Sequence, residues 1–307
     1  MFEALEIGPF IIWTHLLFLM IAIWVSTEFF FRLAQSAGLS LQHFRDNALW
    51  YLIGFVLAGR LFAVVAEYRV YLKEPMRMLI FSDGNFSFLG ATIGIAIVLF
   101  VLRRTSRTTF LQWLDVLLPS TAFGLAFDWF GKFAAGQSYG KPTDMFWGIT
   151  YDALNVRYAV PIHPVQLYYA FFFLILSFVL LVVRKNSQRA GSETLVGIIS
   201  ASVATFLFEN FRGDFSIPVF ATQVDFIVMV LLFVSLGVFA YAELKMTPRT
   251  VMFCEIGMTL FCAAYLLVRP TLPLETFELR FSQLLAVLAL LATVVYVTVH
   301  RRRYPHL

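Results

Sequence analysis

Long apolar runs separated by short polar segments dominate the pattern along the chain. A helix needs about 20 largely apolar residues to cross a bilayer, and nine runs approach or reach that length. The gaps between them are too short for a separate soluble domain. The pattern therefore predicts an all-α fold, a polytopic membrane helix bundle of about nine transmembrane helices. The predicted spans are 10–31, 48–67, 86–102, 112–134, 164–183, 194–211, 224–243, 251–268 and 281–299.

The composition agrees with a membrane protein. Of the 307 residues, 60% are hydrophobic and 14% are charged, whereas roughly 25% are charged in a soluble domain. No basic residue precedes the first apolar run, so we expect that run to be a retained helix and not a cleaved signal peptide. The only two cysteines, Cys254 and Cys262, share one apolar run, which argues against a disulfide framework or a cysteine-rich metal site.

Lysine and arginine are shared unequally between the two sets of loops. Thirteen of them fall on one side of the predicted bundle and eight on the other. Because the richer side is usually cytoplasmic, we expect the N-terminus outside and the C-terminus inside. The net charge of +4 and the basic residues 301–303 are then explained by orientation and anionic lipid, without a nucleic acid partner.

Polar residues from several spans fall at one depth, near the outer face. Charged groups inside spans are costly, and they usually face the bundle interior, where they are paired or functional. We therefore expect these residues to line one outward-facing site. They are Arg60, Ser87, Asp128, Lys132, His163, Glu209 and Arg212.

Each of these groups also has a structural explanation. Asp128 and Lys132 are four residues apart, so they can neutralise each other on one helix face. Arg60 can pair with Asp128 or with Glu209, from distant spans. His163 opens the fifth span and can be a simple cap or interfacial residue. Spacing alone leaves both interpretations open.

The chain shows no pattern for a metal or a nucleotide cofactor. Its five histidines form no ligand spacing, and no glycine-rich loop follows a strand. We therefore expect neither a metal nor a cofactor.

Five short motifs occur in a fixed order. "GR" lies in the second span, "DGNFSFLG" opens the third, "FGKFAAGQSYGKPT" closes the fourth, "HPVQLY" opens the fifth and "FENFR" closes the sixth. With this order and spacing, the chain resembles the prolipoprotein diacylglyceryl transferase family over about residues 7–245. The resemblance implies a seven-helix core with an outer N-terminus, in the bacterial inner membrane. Residues 1–246 would form this core, and residues 247–307 an additional pair of helices.

The resemblance also implies an activity and its partners. Members of the family move a diacylglyceryl group from phosphatidylglycerol, an anionic phospholipid, to the lipobox cysteine of a lipoprotein precursor, and glycerol phosphate is released. We assign catalytic roles to His163 as a base for the thiol, to Lys132 as a charge for the departing phosphate, and to Glu209. The expected substrate-binding residues are Arg60, Ser87, Asp128, Tyr139, Gly140, Gln166, Tyr168 and Arg212.

Three positions depart from the family pattern where a histidine or an arginine is usual. Leu89 stands in place of a histidine, and Trp129 and Thr205 each stand in place of an arginine. Donors arranged in advance around a developing charge are commonly worth several kcal/mol. Lys132 can supply a point charge to a phosphate, but not the two-pronged fork of an arginine.

Two functions therefore stay open at the level of sequence. One is a transferase with an altered mechanism or acceptor. The other is a degenerate relative that binds phospholipid or lipoprotein precursors without transfer. A transporter is a third possibility, but transporters place their sites near the middle of the membrane, whereas these polar residues crowd one face.

Overall fold

The computed structural model describes most of the chain and divides it into two compact units, residues 1–215 and 216–307. Each unit is treated separately below. The described residues are 4–7, 10–66, 68–79, 86–102, 107–151, 156–187, 189–214, 218–225, 227–231, 248–271 and 275–303.

The first unit is a bundle of helices preceded by a short β-hairpin. Strand β1 (Ala4–Ile7) pairs antiparallel with β2 (Phe10–Trp13). Short 3₁₀ helices cover Pro75–Leu79 and Glu209–Phe211. The α-helices are α1 (Thr14–Ser36), α2 (Gln42–Asp46), α3 (Ala48–Ala66), α4 (Tyr68–Lys73), α5 (Phe88–Leu102), α6 (Arg107–Ala134), α7 (Val165–Asn186) and α8 (Ser192–Phe208).

Among the described residues of this unit, five helical segments are long and apolar enough to cross a membrane. Helix α5, and residues 281–293 of the second unit, are apolar but shorter. These helices confirm the prediction of an all-α, multi-pass membrane bundle. The number of nine spans and the orientation stay predictions, and most of the predicted span 224–243 lies outside the described residues. The five segments are Thr14–Ser36, Ala48–Val65, Phe110–Ala134, Val165–Asn186 and Ser192–Phe211.

The start of the first helix differs from the prediction. Residues Phe10–Trp13 pair with Ala4–Ile7 as a strand, so α1 begins at Thr14 and not at residue 10. The β-branched neighbours Ile11 and Ile12 favour an extended backbone. A short apolar run cannot be assigned to helix or strand from hydrophobicity alone, which explains the error.

Small residues allow the long helices to pack closely. Ala22 of α1, Ala126 of α6 and Ala170 of α7 are completely buried. A Cβ on Gly94 of α5 would overlap the carbonyl oxygen of Gly54 on α3. Without a hydrophobic force between helices in lipid, such close contact of backbones is a main source of association.

Two serines tie neighbouring helices to α6 near its internal proline. The Ser26 hydroxyl of α1 donates to the Ser120 carbonyl (2.8 Å), and the Ser177 hydroxyl of α7 donates to the Pro119 carbonyl (3.0 Å). Hydrogen bonds from serine side chains are among the forces that hold membrane helices together. The two serines therefore join α1 and α7 to the middle of α6.

A buried carboxylate fixes the start of α8. Asp115 of α6 accepts hydrogen bonds from the Thr194 N–H (2.8 Å), the Thr194 hydroxyl (2.7 Å) and the Gly191 N–H. An acidic group at a helix N-terminus satisfies unpaired N–H groups and favours the helix dipole. Asp115 thus caps a helix other than its own.

The second unit contains a two-stranded sheet and two long helices. Strands β3 (Pro218–Thr222) and β4 (Thr276–Arg280) pair antiparallel, and the long helices among the described residues of this unit are α9 (Pro248–Val268) and α10 (Phe281–Arg303). Arg269 binds both carboxylate oxygens of Asp225, at 2.8 and 2.9 Å. The predicted domain boundary at 246–247 falls within residues that the structure does not describe, so it stays a prediction.

Candidate active site

Three segments of the first unit meet where α6 ends and α7 begins. The Lys141 N–H donates to the Phe211 carbonyl (2.8 Å), and the His163 N–H donates to the Lys141 carbonyl (2.9 Å). A Cβ on Gly140 would overlap the carbonyl oxygen of His163, so only glycine allows this approach. The buried Tyr139 lies on the same segment. The structure thus brings the "QSYGK" loop, the start of α7 and the end of α8 together, as the motifs predicted.

An ion pair on α6 is joined by a histidine from α1. The Lys132 ammonium lies 2.8 Å from one carboxylate oxygen of Asp128, and the His15 Nε2 lies 3.2 Å from the other. The Asp128 side chain is 3% exposed, whereas that of Lys132 is 25% exposed. The local pair that spacing predicted is present, and Lys132 forms its accessible end.

The Lys132 ammonium also lies over an aromatic stack. Its nitrogen is 4.3 Å from the centre of the Trp129 ring, within the range of a cation–π interaction. Trp129 stacks on Tyr169 of α7, with ring centres 4.2 Å apart and planes 10° from parallel. Trp129, where the resemblance implies an arginine, therefore supports the cation of Lys132 from the next turn of the same helix.

The Trp129–Tyr169 stack is hydrogen-bonded to a buried carboxylate, Glu209, directly after α8. The Tyr169 hydroxyl donates to Glu209 (3.2 Å), and the Arg212 guanidinium donates to the same oxygen (2.7 Å). Arg212 also binds Asp214 through two hydrogen bonds. Burial opposes the charge of Arg212, but Asp214 and Glu209 together raise its pKa above the ordinary value. Glu209, which is 3% exposed, is thus held between an arginine and a phenol.

A second hydrogen-bonded chain includes His163. The Trp147 indole N–H donates to the Tyr168 oxygen (2.7 Å), and this oxygen lies 3.1 Å from His163 Nδ1. Because an indole can only donate, the Tyr168 oxygen accepts from Trp147, and the direction of its bond with Nδ1 is set by the tautomer of His163. Burial lowers the pKa of His163, and this favours the neutral ring.

The two chains are close neighbours. Phe211 packs on the His163 ring with centres 5.0 Å apart, and Phe208 lies against both Tyr168 and Tyr169. Both phenylalanines flank Glu209 in sequence. The histidine chain and the lysine-to-arginine chain therefore share one apolar wall.

Gln166 is oriented toward the backbone rather than toward an open space. Its side chain is fully buried, and its amide nitrogen donates to the Gln137 carbonyl (2.7 Å). This bond fixes the chain just after α6 ends. Its expected role in binding substrate stays a prediction.

Arg60 lies on α3 and Ser87 directly precedes α5, and their described contacts are with residues near these two helices. The Arg60 guanidinium donates to the carbonyls of Arg77 and Met78, at 2.6 and 3.1 Å, and lies 5.2 Å from the centre of the Tyr71 ring. Ser87 accepts a hydrogen bond from the Gly90 N–H (3.1 Å) at the start of α5.

In the described contacts, Asp128 is paired with Lys132, Glu209 is bound by Arg212, and Arg60 donates to carbonyls at the end of a 3₁₀ helix. The expected pairing of Arg60 with Asp128 or Glu209 stays a prediction. Residues 83–85 of the "DGNFSFLG" motif lie outside the described residues. Leu89, in place of the usual histidine, is 49% exposed.

Sequence reasoning missed three members of these chains. His15 was considered only as a metal ligand, although a lone histidine at the depth of Asp128 is a signal for a polar contact. Tyr169 was passed over beside Tyr168. Trp147 lies in a loop, where no periodicity indicates what its side chain contacts.

The chain is similar to known proteins over most of its length. The sequence profile of the prolipoprotein diacylglyceryl transferase family matches residues 3–299, which is further than the 7–245 expected and includes the last two helices. A phosphatidylglycerol–prolipoprotein diacylglyceryl transferase from Synechococcus elongatus is 29% identical over 219 residues, which cover 68% of this chain and 76% of the relative.

Two further relatives carry the same name. The protein from Parasynechococcus marenigrum is 30% identical over 219 residues, or 68% of this chain and 79% of the relative. The protein from Nitrosomonas europaea is 31% identical over 169 residues, or 54% of this chain and 60% of the relative. With a family match over nearly its whole length, the chain belongs to the prolipoprotein diacylglyceryl transferase family.

Proposed function

We propose that this protein transfers a diacylglyceryl group from phosphatidylglycerol to the cysteine thiol of a prolipoprotein, at the outer leaflet of the bacterial inner membrane. Family membership supports the reaction. The observation that carries the proposal is a partly exposed cation, Lys132, whose Trp129–Tyr169 stack is joined through Phe208 to the Tyr168–His163 pair.

The reaction makes two demands on the site. The sulfur attacks a glycerol carbon, a carbon–sulfur bond forms, and the bond from that carbon to the phosphate oxygen breaks. The thiol must lose its proton because the thiolate is the nucleophile. The departing glycerol phosphate carries negative charge, which fixed donors or cations must stabilise.

The His163 chain supplies the proton acceptor. Nδ1 lies 3.1 Å from the Tyr168 oxygen; in this scheme Nδ1 accepts the phenol proton while the thiol proton passes to the Tyr168 oxygen. The proton is then stored on the imidazolium. Trp147 holds the phenol oxygen in place through its N–H. In this scheme Tyr168 touches the thiol, and Trp147 is a positioning residue.

Lys132 supplies the positive charge for the phosphate. A lysine ammonium has three donors; one faces Asp128 and the Trp129 ring lies beneath, so a donor remains for a phosphate oxygen. Arg212 binds Glu209 and Asp214, so its effect on the phosphate is indirect and passes through Glu209. Glu209 holds Tyr169, and Tyr169 supports the Trp129 ring under Lys132.

A direct transfer assay tests this function. The purified protein is mixed with phosphatidylglycerol and a lipobox peptide, and the peptide mass is measured beside an active member of the family. We expect a mass gain of one diacylglyceryl group on the cysteine, and release of glycerol phosphate. If the control is active and this protein binds the lipid without any mass gain, the proposal is wrong and the chain is a lipid-binding relative.

A further inference from the structure

The loop between α6 and α7 ends in an exposed apolar tip, formed by residues 145–147. Met145 is 53% exposed, Phe146 93% and Trp147 43%. The Phe146 and Trp147 rings meet edge to face, with centres 4.6 Å apart. Three large apolar residues at the end of a loop are unusual for a surface that only water touches.

The tip is held in a fixed shape. The Ile149 and Ile162 backbones exchange hydrogen bonds of 3.0 Å in both directions, and the Thr143 N–H donates to the Pro161 carbonyl (2.9 Å). The Gly148 N–H then closes the turn on the Met145 carbonyl (2.9 Å). The exposure of Phe146 therefore reflects the course of the backbone and not a loose loop.

A hydrogen bond joins the tip to the first turn of a membrane helix. Trp147 donates to Tyr168, which lies in the first turn of α7. Helix α7 is one of the helices long and apolar enough to cross a membrane, so its first turn marks the level at which the chain enters the bilayer. Tryptophan and other aromatic residues concentrate at this level in membrane proteins.

We propose that the apolar tip inserts into the interfacial layer of the bilayer, and that its partner is the phospholipid surface. Through the Trp147–Tyr168 bond, insertion holds Tyr168 and His163 at a fixed depth beside the lipid headgroups. The link to His163 rests on the proposed function, whereas the insertion does not. A tip that instead stands in water to receive the prolipoprotein peptide is the contrasting outcome.

Depth-dependent fluorescence quenching tests the insertion. Phe146→Cys is made in a variant with Cys254→Ala and Cys262→Ala, labelled with an environment-sensitive dye and reconstituted in phosphatidylglycerol-containing vesicles. The matched control is Ser40→Cys, at an exposed position between α1 and α2. We expect blue-shifted emission at position 146, with quenching that is strongest for lipids labelled at shallow acyl positions, and neither effect at position 40.

Two outcomes would overturn the insertion. One is water-like emission at position 146 with no quenching by lipid. The other is water-like emission that shifts only when the lipobox peptide is added, which assigns the tip to the peptide. Both readouts work on a catalytically inactive protein, so a failure of the proposed transferase activity leaves this test unaffected.

Substitutions of the tip test the link to the active site. Phe146→Ser should lower transfer in vesicles roughly tenfold, since burial of a phenylalanine is worth at least that factor, and Phe146→Leu should retain most of the rate. Trp147→Phe keeps an apolar ring but removes the N–H, so it should leave quenching at position 146 unchanged while it shifts the acidic limb of the pH–rate profile. An unchanged pH–rate profile would show that the tip has no effect on His163.

Discussion

The ammonium nitrogen of Lys132 lies 4.3 Å from the centre of the Trp129 ring, one turn earlier on the same helix. The resemblance implies an arginine at position 129, where this chain has an aromatic ring. The ring supports the cation of Lys132, and Asp128 and His15 extend the contact.

Trp129 should affect the rate through the cation that it supports. Trp129→Leu removes the cation–π interaction, which is worth about 0.5–2 kcal/mol, so we expect transfer to fall by roughly 2- to 30-fold. Trp129→Phe keeps a weaker ring and should fall between this variant and the unmodified protein. The measurement is the initial rate of peptide modification. Equal rates for both variants would show that the ring acts by packing alone.

Asp128 should stabilise the fold mainly through Lys132. Asp128→Asn leaves the ammonium without its carboxylate, and loss of one partner of a buried pair costs about 3–5 kcal/mol. We expect about 1–3 kcal/mol, because Lys132 is still 25% exposed and water screens the pair. Thermal unfolding in detergent measures the change.

A second substitution separates the ion pair from other effects of Asp128. Asp128→Asn combined with Lys132→Met should recover part of the lost stability, since neither charge is then left alone. If the double variant is as unstable as the sum of the two single variants, the pair contributes nothing and the loss comes from the contact with His15.

The rate should fall at acidic pH because of His163. Its neutral ring accepts the proton, and burial lowers its pKa below the ordinary 6.5. The neutral form therefore persists as the pH falls through 6.5, and activity is lost only below that value. The pH–rate profile should show this acidic limb, and His163→Gln should lower the rate and remove the limb. A limb that survives in His163→Gln would assign it to another group.

Gly140 should be intolerant of a side chain. A Cβ there would overlap the His163 carbonyl, so Gly140→Ala has to move the start of α7 and should cost about 1–3 kcal/mol, as other overpacked sites do. Gly257→Ala is the matched control, since a Cβ at Gly257 meets nothing within 4 Å. Thermal unfolding and transfer rate should both fall for the first variant and stay unchanged for the second. Equal unfolding temperatures and rates for the two variants would show that the overlap at Gly140 has no effect.

The long helices and the ion pair on α6 could be predicted from the sequence. Apolar runs define the helices because lipid requires every backbone group to be paired within its own segment. Asp128, Lys132 and Glu209 stand out in those runs because a charge in an apolar run is costly. The local pair of Asp128 and Lys132 followed from the helical repeat of one segment, and the structure confirms it.

Contacts between distant segments could not be read in the same way. The described partners of Arg60 are backbone carbonyls, which lie near it because the segment after α4 folds back. Every residue has a carbonyl, so the sequence of side chains does not indicate which ones Arg60 binds. The stack of Trp129 on Tyr169 depends on the rotation of α6 against α7. The hairpin before α1 was missed because four apolar residues suit a strand as well as a helix.

The most direct test of the account is the role of Lys132 as the cation for the phosphate. Lys132→Gln and Lys132→Arg are compared in the transfer assay with Lys185→Gln, a change at an exposed lysine near the end of α7. We expect kcat/KM to fall at least tenfold for Lys132→Gln, to be partly restored in Lys132→Arg, and to be unchanged for Lys185→Gln. Full activity in a folded Lys132→Gln protein would contradict the account.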